Sequence, residues 1–319
     1  MAKLACMKGV AFEEKRLRQW MSEDGLVVVQ TKRDEFRCIV RVMEDCEGQY
    51  VTFTSASGKP LYNLQAHSSV FLDLYARFNI NKFDMGCSID DDFNVTRRVL
   101  RASKKVYDTT GLHSQTITET KTVHDKHGIK YKETVYEHTG TLNAVFWFYD
   151  MPDVLDAYED RRIVMAHLTL GSGGRLKCPE TWIVSSVNGV DFAVGEVNDL
   201  FADALAAKHE GLMVKRYNFM YKEGRTTDWM KLKPEDEVDA RITGFTEGKG
   251  EFLGLIGSAI GKTEAGDELA FSGFTLEERR AITANPEKFI GRVAEVRFMQ
   301  RDSKGGFRHP SFYRWHPDK

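Results

Sequence analysis

Val27-Val28-Val29-Gln30-Thr31-Lys32-Arg33-Asp34-Glu35-Phe36-Arg37-Cys38-Ile39-Val40 is a polar centre set between two apolar runs. Val27 to Val29 are β-branched and the apolar character resumes at Cys38 to Val42, so the stretch reads as two β segments joined by a charged turn. A lysine at the mouth of a sheet, crowded by Arg33 and Arg37, is suited to act as an amine nucleophile. The same residues also describe an ordinary solvated turn, because charge runs usually face water.

Outward from this stretch, residues 9–21 read as a short helix carrying Val10, Leu17, Trp20 and Met21. Residues 50–60 continue as a strand into a Ser/Gly/Pro turn, and 62–78 place Val70, Phe71, Leu74, Tyr75 and Phe78 on one helical stripe. The Thr-rich, alternating segment 113–138 predicts a long exposed hairpin turning at His127-Gly128. Apolar β runs follow at 142–151 and 181–187, then a helix at about 196–209 and a strand from Gly211. Composition shifts over residues 231–240. Beyond it, short β runs bend at Gly244, Gly248, Gly250, Gly254, Gly257 and Gly261, with one helix at 275–285. That pattern fits a small closed barrel of the OB type. A chain of 319 residues is long for one core. We therefore expect an α+β domain with mainly antiparallel sheets over 1–236, and an all-β OB-fold domain over 237–319.

Forty-five Lys+Arg against forty-seven Asp+Glu leave a net charge of −2, so any polyanion must be met by local basic patches. The five cysteines are scattered without a CxxC pair, which argues against a disulfide framework and a structural zinc site. No apolar run approaches a membrane span, and the opening residues lack the apolar core of a secretory leader. The expected location is the cytoplasm, that of the host cell if the source is viral.

Two further pieces carry chemistry. In Glu210-Gly211-Leu212-Met213-Val214-Lys215, a carboxylate at a helix-to-strand junction precedes an apolar strand ending in lysine. Such a Glu can hold Mg²⁺ while the Lys meets phosphate; taken singly, it is also an ordinary helix end. In Trp229-Met230-Lys231-Leu232-Lys233, the i, i+2 spacing puts both lysines on one side of a strand.

Lys32-Arg33-Asp34, EGLMVK at 210–215 and WxKxK at 229–233, followed by a small β region, closely resemble the covalent nucleotidyltransferases. The nearest resemblance is to the short, bacteriophage-type ATP-dependent DNA ligases. Arg308-His309-Pro310-Ser311-Phe312-Tyr313-Arg314, running to Asp318-Lys319, is similar to that family's last motif, and the resemblance extends over about residues 25–319. It implies nick sealing in three in-line displacements at phosphorus: lysyl–AMP formation, AMP transfer to the 5′-phosphate, and displacement of AMP by the 3′-hydroxyl.

By the same resemblance, Lys32 is the adenylated lysine, Arg37 meets the nucleotide sugar or phosphate, and Gln30 reads the adenine amine. Tyr149 stacks on the base, Glu210 binds Mg²⁺ (or Mn²⁺), and Lys215, Lys231 and Lys233 bind phosphate. Arg308 and Arg314 meet the pyrophosphate leaving group. Implied partners are ATP and nicked double-stranded DNA, bound by a monomer. Lys59, Arg97, Arg98, Arg301 and Lys304 are the candidate contacts to DNA phosphates.

Three departures stand out. Glu35 replaces the glycine of the family's Lys-x-Asp-Gly. Ser55-Ala56-Ser57-Gly58-Lys59 lacks the arginine of the second motif, a role in which Lys59 stands in part. Phe83-Asp84-Met85-Gly86-Cys87 occupies the place of an Asp-Gly-Glu, leaving Asp84 or one of Asp90 to Asp92 as the substitute metal or ribose carboxylate. An RNA ligase or RNA-capping relative, or a weakened nick-binding protein, are the alternatives.

Overall fold

The structure, a computed structural model, describes residues 6–124, 130–234, 236–298 and 306–316, and divides the chain into two units, Met1–Leu232 and Lys233–Lys319. The first opens with strand β1 (Met7–Ala11) and helix α1 (Glu14–Glu23). The helix expected over 9–21 is therefore shortened at its start. Leu17, Trp20 and Met21 do form a buried helical stripe, but Val10 belongs to a strand that pairs in parallel with the last strand of the unit. Strands β2 (Leu26–Lys32) and β3 (Phe36–Asp45) are the two β segments around the polar centre, and β4 (Gly48–Thr54) follows.

A 3₁₀ turn (Tyr62–His67) leads into α2 (Ser68–Phe78), which ends at Asn79 in the left-handed conformation. Strand β5 (Lys82–Ile89) and helix α3 (Phe93–Arg101) come next. The Asp92 side chain starts α3 by accepting from the backbone N–H groups of Asn94 (2.7 Å) and Val95 (3.0 Å), the normal way to satisfy a helix's first donors. Two long strands, β6 (Thr110–His124) and β7 (Lys130–Asp150), pair antiparallel as the expected hairpin; its turn at 127–128 lies outside the described residues. Then come α4 (Tyr158–Leu168), β8 (Leu176–Lys177), β9 (Thr181–Ser185), α5 (Val190–Ala206), β10 (Gly211–Arg216) and β11 (Gly224–Leu232). The helix α5 starts earlier than the 196–209 expected and stops at Ala206.

These strands form two sheets, ordered β1-β11-β10-β2-β9 and β4-β3-β5-β7-β6. Only β1 with β11 and the short β8 with β7 pair in parallel. The first sheet buries Val27, Val29, Leu212, Val214 and Met230 against α1 and α5. Its other face contributes Val28 and Trp229 to a larger core with the second sheet, α2 and α3, where Phe53, Phe71, Phe83, Phe146 and Phe148 pack ring against ring. Strand alternation thus gives β2, β10 and β11 one helix-covered face and one face that looks toward the second sheet.

The second unit comprises β12 (Asp236–Glu247), β13 (Ile256–Thr263), β14 (Glu268–Phe271), α6 (Leu276–Ala284), β15 (Val293–Phe298) and β16 (Ser311–Trp315). Its antiparallel sheet is ordered β14-β13-β12-β15-β16. A bridge between Ser272 and Ser311 joins the two edge strands, and the Phe312 N–H donates to the Ser272 carbonyl at 2.6 Å. Ile242, Ala259, Phe271, Ile282 and Val296 fill its core, and Thr275 with Glu278 forms a reciprocal cap on α6. Both units are mixed α/β structures dominated by antiparallel sheets.

The wall of the first unit's second sheet rests on a buried ion pair. Arg161, from α4, is fully buried and donates to both oxygens of the equally buried Asp150 at 2.6 and 3.0 Å, and to the Phe219 carbonyl at 3.3 Å. Removing one partner strands the other charge in a dry core. Asp150→Ala should lower unfolding free energy by about 3–5 kcal/mol in urea melts. Asp150→Leu/Arg161→Met, which removes both charges, should lose less.

Candidate active site

Across the central sheet, registers build rows of side chains on the face away from the helices. Gln30 on β2 lies beside Met213 on β10, which lies beside Lys231 on β11. In the next row Val28 lies beside Lys215, and Lys215 beside Trp229. Lys32 closes β2 opposite Gly211. From the facing sheet, the row Arg37–Gly86–Trp147 crosses β3, β5 and β7. Between them opens a cavity lined by Gln30, Lys32, Arg37, Tyr149, Lys215 and Lys231, with Glu35 and Trp229 among its other walls.

Each expected residue has a definite partner. Lys32 Nζ donates to Glu210 at the end of the β10 approach, and both side chains are mostly buried. Gln30 is buried; its amide donates to Thr181 Oγ1 at 3.0 Å and its carbonyl accepts from the Tyr158 hydroxyl at 3.2 Å. Arg37 sits over the Tyr149 ring at 4.9 Å and the Trp229 ring at 5.6 Å, and donates to the Met7 carbonyl at 2.9 Å. Lys215 is sealed in an aromatic socket. Its ammonium lies 4.2 Å from the Trp229 ring centre and 4.5 Å from that of Tyr158, and donates to the Tyr149 carbonyl (3.1 Å) and the Tyr158 hydroxyl (2.7 Å). Burial pulls its pKa down to about 7, with Asp150 opposing.

Other expectations are corrected. Asp84 is fully buried and both its oxygens accept from Arg37, while Tyr221 donates a third hydrogen bond at 2.6 Å. It is the counter-ion that holds Arg37 in the cavity wall, and it does not line the cavity as a metal ligand would. Burial works to lower the Arg37 pKa, but the Asp84 charge and its hydrogen bonds outweigh it and hold the guanidinium above its already high usual value. Arg98 does not stand free for a nucleic-acid phosphate: it pairs with Glu119 of β6 and stacks at 3.9 Å on Tyr136 of β7. Arg97 is half-buried on the same helix, and Lys59 is exposed in the loop after β4. Arg301 and Lys304 lie outside the described residues.

Lys233, Arg308 and Arg314 belong to the second unit. There Arg314, on β16, pairs with Glu295 of β15 at 2.7 Å, which raises its already high pKa further.

Several other wall residues were assigned no cavity contacts by the sequence reading. Trp229 shares the strand face of Lys231, so alternation already marked it. Gly9 allows β1 to lie against β11, since a β-carbon there would come within 2.7 Å of the Trp229 carbonyl oxygen. Arg33 lies flat on Trp147 at 3.8 Å and donates to Glu35 at 2.5 Å. Glu35 also accepts from the Tyr149 hydroxyl, and burial pushes its carboxyl up to about 7 against the pull of both donors. No local pattern announces these contacts.

Residues 94–233 match the family model described as an ATP dependent DNA ligase domain. This stretch of the chain is similar to an ATP-dependent DNA ligase domain. A DNA ligase of Enterobacteria phage T3 is 33% identical over 139 residues, covering 41% of this chain and 40% of the relative. A DNA ligase of Escherichia phage T7 is 29% identical over 145 residues, covering 37% and 40%. The matches thus span about two fifths of these relatives' lengths. Among solved structures, the ATP-dependent DNA ligase from bacteriophage T7 in complex with ATP superposes with a TM-score of 0.52 at 20% identity, covering 98% of each chain. A structure described as Pmar-Lig_Pre. reaches 0.67 at 16% identity over 100% of this chain and 69% of that one. These two likenesses speak for the fold. The ligase domain match includes Tyr149, Glu210, Lys215 and Lys231 but stops short of Lys32, which the β2–β10 pairing brings to the same cavity.

The Lys215 shift gives a stability signature. Its folded pKa lies below the unfolded value of 10.5, so the unfolded chain binds more protons between about pH 7 and 10.5 and stability rises across that window. Relative to Lys215→Met, the wild type should gain stability from pH 7 to 10.5, by up to roughly 4 kcal/mol. Denaturant melts of both proteins across that range check it.

Proposed function

We propose that the protein is an ATP-dependent DNA ligase that seals nicks in duplex DNA through a lysyl–AMP intermediate on Lys32. The observation that carries this reading is the convergence of Gln30, Lys32, Arg37, Tyr149, Lys215 and Lys231 on one cavity, with Lys32 hydrogen-bonded to Glu210.

In this reading the adenine stacks on Tyr149 beside Gln30, and Lys215 and Lys231 face the phosphates. The Lys32 amine attacks the α-phosphorus of ATP, an N–P bond forms, and the bond to pyrophosphate breaks. The amine must first lose a proton, and the Glu210 carboxylate that already receives its hydrogen bond is placed to take it. Lys215 enters with its charge suppressed by burial; a triphosphate beside it favours the protonated form and gains a charge-assisted contact. AMP then passes to the 5′-phosphate of a nick, and the 3′-hydroxyl displaces it. Positioning and fixed cationic charge carry each displacement.

Glu210 fits a divalent cation such as Mg²⁺, which is typically held by one or two carboxylates together with substrate phosphates and water. Such an ion would supply charge neutralisation at the phosphates.

We assign residues 1–236 as the adenylation domain and 237–319 as an OB-fold domain. The bridge between the edge strands of the second unit supports a closed barrel. Lys233, Arg308 and Arg314 are proposed as phosphate contacts, and Lys59 and Arg97 as contacts to the DNA backbone of a protein acting as a monomer.

Incubation with ATP and Mg²⁺ should add one adenylyl group to the intact mass of the wild type and none to Lys32→Ala, and only the wild type should seal a nicked duplex. Sealing by Lys32→Ala at the wild-type rate would overturn the reading. Nick binding with no adduct in the wild type would replace the ligase with a binding protein.

A further inference from the structure

Glu35 and Gly86 occupy one another's space. Gly86 sits in the middle of the row Arg37–Gly86–Trp147 on the cavity side of β5. A β-carbon built there would fall well inside contact distance of both a Glu35 carboxylate oxygen and the Tyr149 hydroxyl. The Glu35 side chain is 1% exposed, so it fills the place that a side chain from β5 would take. One of its oxygens accepts from Tyr149 and the other from Arg33 Nε at 2.5 Å. Arg33 is itself fixed by Asp91 and by the face of Trp147.

Glu35 and the Tyr149 hydroxyl together therefore fill the place that a side chain at position 86 would take. We propose that Glu35 is a positioning residue of the nucleotide cavity, supplying from the loop after β2 the wall carboxylate that β5 lacks at Gly86. Its task is to fix the Tyr149 ring against the cavity and to tether the Lys32–Arg37 loop to the facing sheet. A side chain at position 86 would need Glu35 removed and the Tyr149 ring displaced as well. The inference rests on the ligase reading of the same cavity.

The test is a double-mutant cycle on the full-length protein, with single-turnover lysyl–AMP formation from ATP and Mg²⁺ as readout and melting temperature as the check on folding. Glu35→Gly frees the ring and the loop, and a misplacement of this kind costs about tenfold or more in rate. Gly86→Glu overfills the site and should be at least as slow. The Glu35→Gly/Gly86→Glu double variant removes the Glu35 clash but keeps the one with Tyr149, so it should be faster than Gly86→Glu and slower than Glu35→Gly, a non-additive pair. A double variant as slow as its slower parent overturns the proposal.

Should Gly86→Glu or the double variant fail to fold, Glu35→Met keeps most of the volume and decides the matter. The thioether chain replaces neither carboxylate oxygen as a strong acceptor for Arg33 and Tyr149, so the KM for ATP should rise about tenfold with kcat held within about twofold. An unchanged KM overturns the proposal. A wild type that forms no adduct defeats the ligase reading and this inference with it, whereas a competent wild type without that partial rescue defeats only this inference.

Discussion

The register of β2 against β10 is the constraint on which the rest of the first unit depends. Strand side chains alternate faces, so this one alignment sends Val27, Val29, Leu212 and Val214 to the helices and sends Gln30, Lys32, Met213 and Lys215 to the cavity. A slip of one residue would place lysines among the side chains of α1 and α5 and valines in the cavity. Such an error is excluded by the hydrophobic cost of exposing those valines, because each fully buried side chain of this kind is worth roughly 1.5–3 kcal/mol. Packing on one side of the sheet therefore holds the chemistry on the other.

The cavity collects many cations, and the structure shows what makes that tolerable. Arg37 has Asp84, Lys32 has Glu210, Arg33 has Glu35 and Asp91, and Lys215 has two aromatic faces and a shifted proton equilibrium. Buried charges require such partners, since an isolated ion in a dry interior is prohibitively costly. A polyanionic ligand is the natural replacement for part of this internal neutralisation.

Much of this was readable in the chain because strand alternation is a local rule. Lys231 and Trp229, or Gln30 and Lys32, share a face whatever the rest of the protein does. The β segments around Lys32, the long hairpin and the helical stretch over 62–78, whose first turn proves to be 3₁₀, followed from local pattern alone. What stayed hidden depends on partners distant in sequence. Val10 joined a helical stripe on paper, but hydrogen bonding to β11 draws it into a strand. The helix α4 was missed because buried Tyr158 and Arg161 break its apolar pattern, and Arg161 is tolerable inside only because Asp150 waits there. Asp84 looked like an open carboxylate, yet Arg37 and Tyr221 consume it. The space shared by Glu35 and Gly86 belongs to no local pattern at all.

The placement of β1 has a consequence for solution behaviour. This strand runs along the outer side of β11 and satisfies that strand's ladder, with the Phe12 N–H also donating to the Lys231 carbonyl. Without residues 7–12, β11 would become the border of the sheet and present unpaired amides and carbonyls beside an apolar face. Exposed borders of this kind recruit strands from other molecules. Residues 7–12 thus protect the sheet from self-association as well as lining the cavity through Lys8 and Gly9.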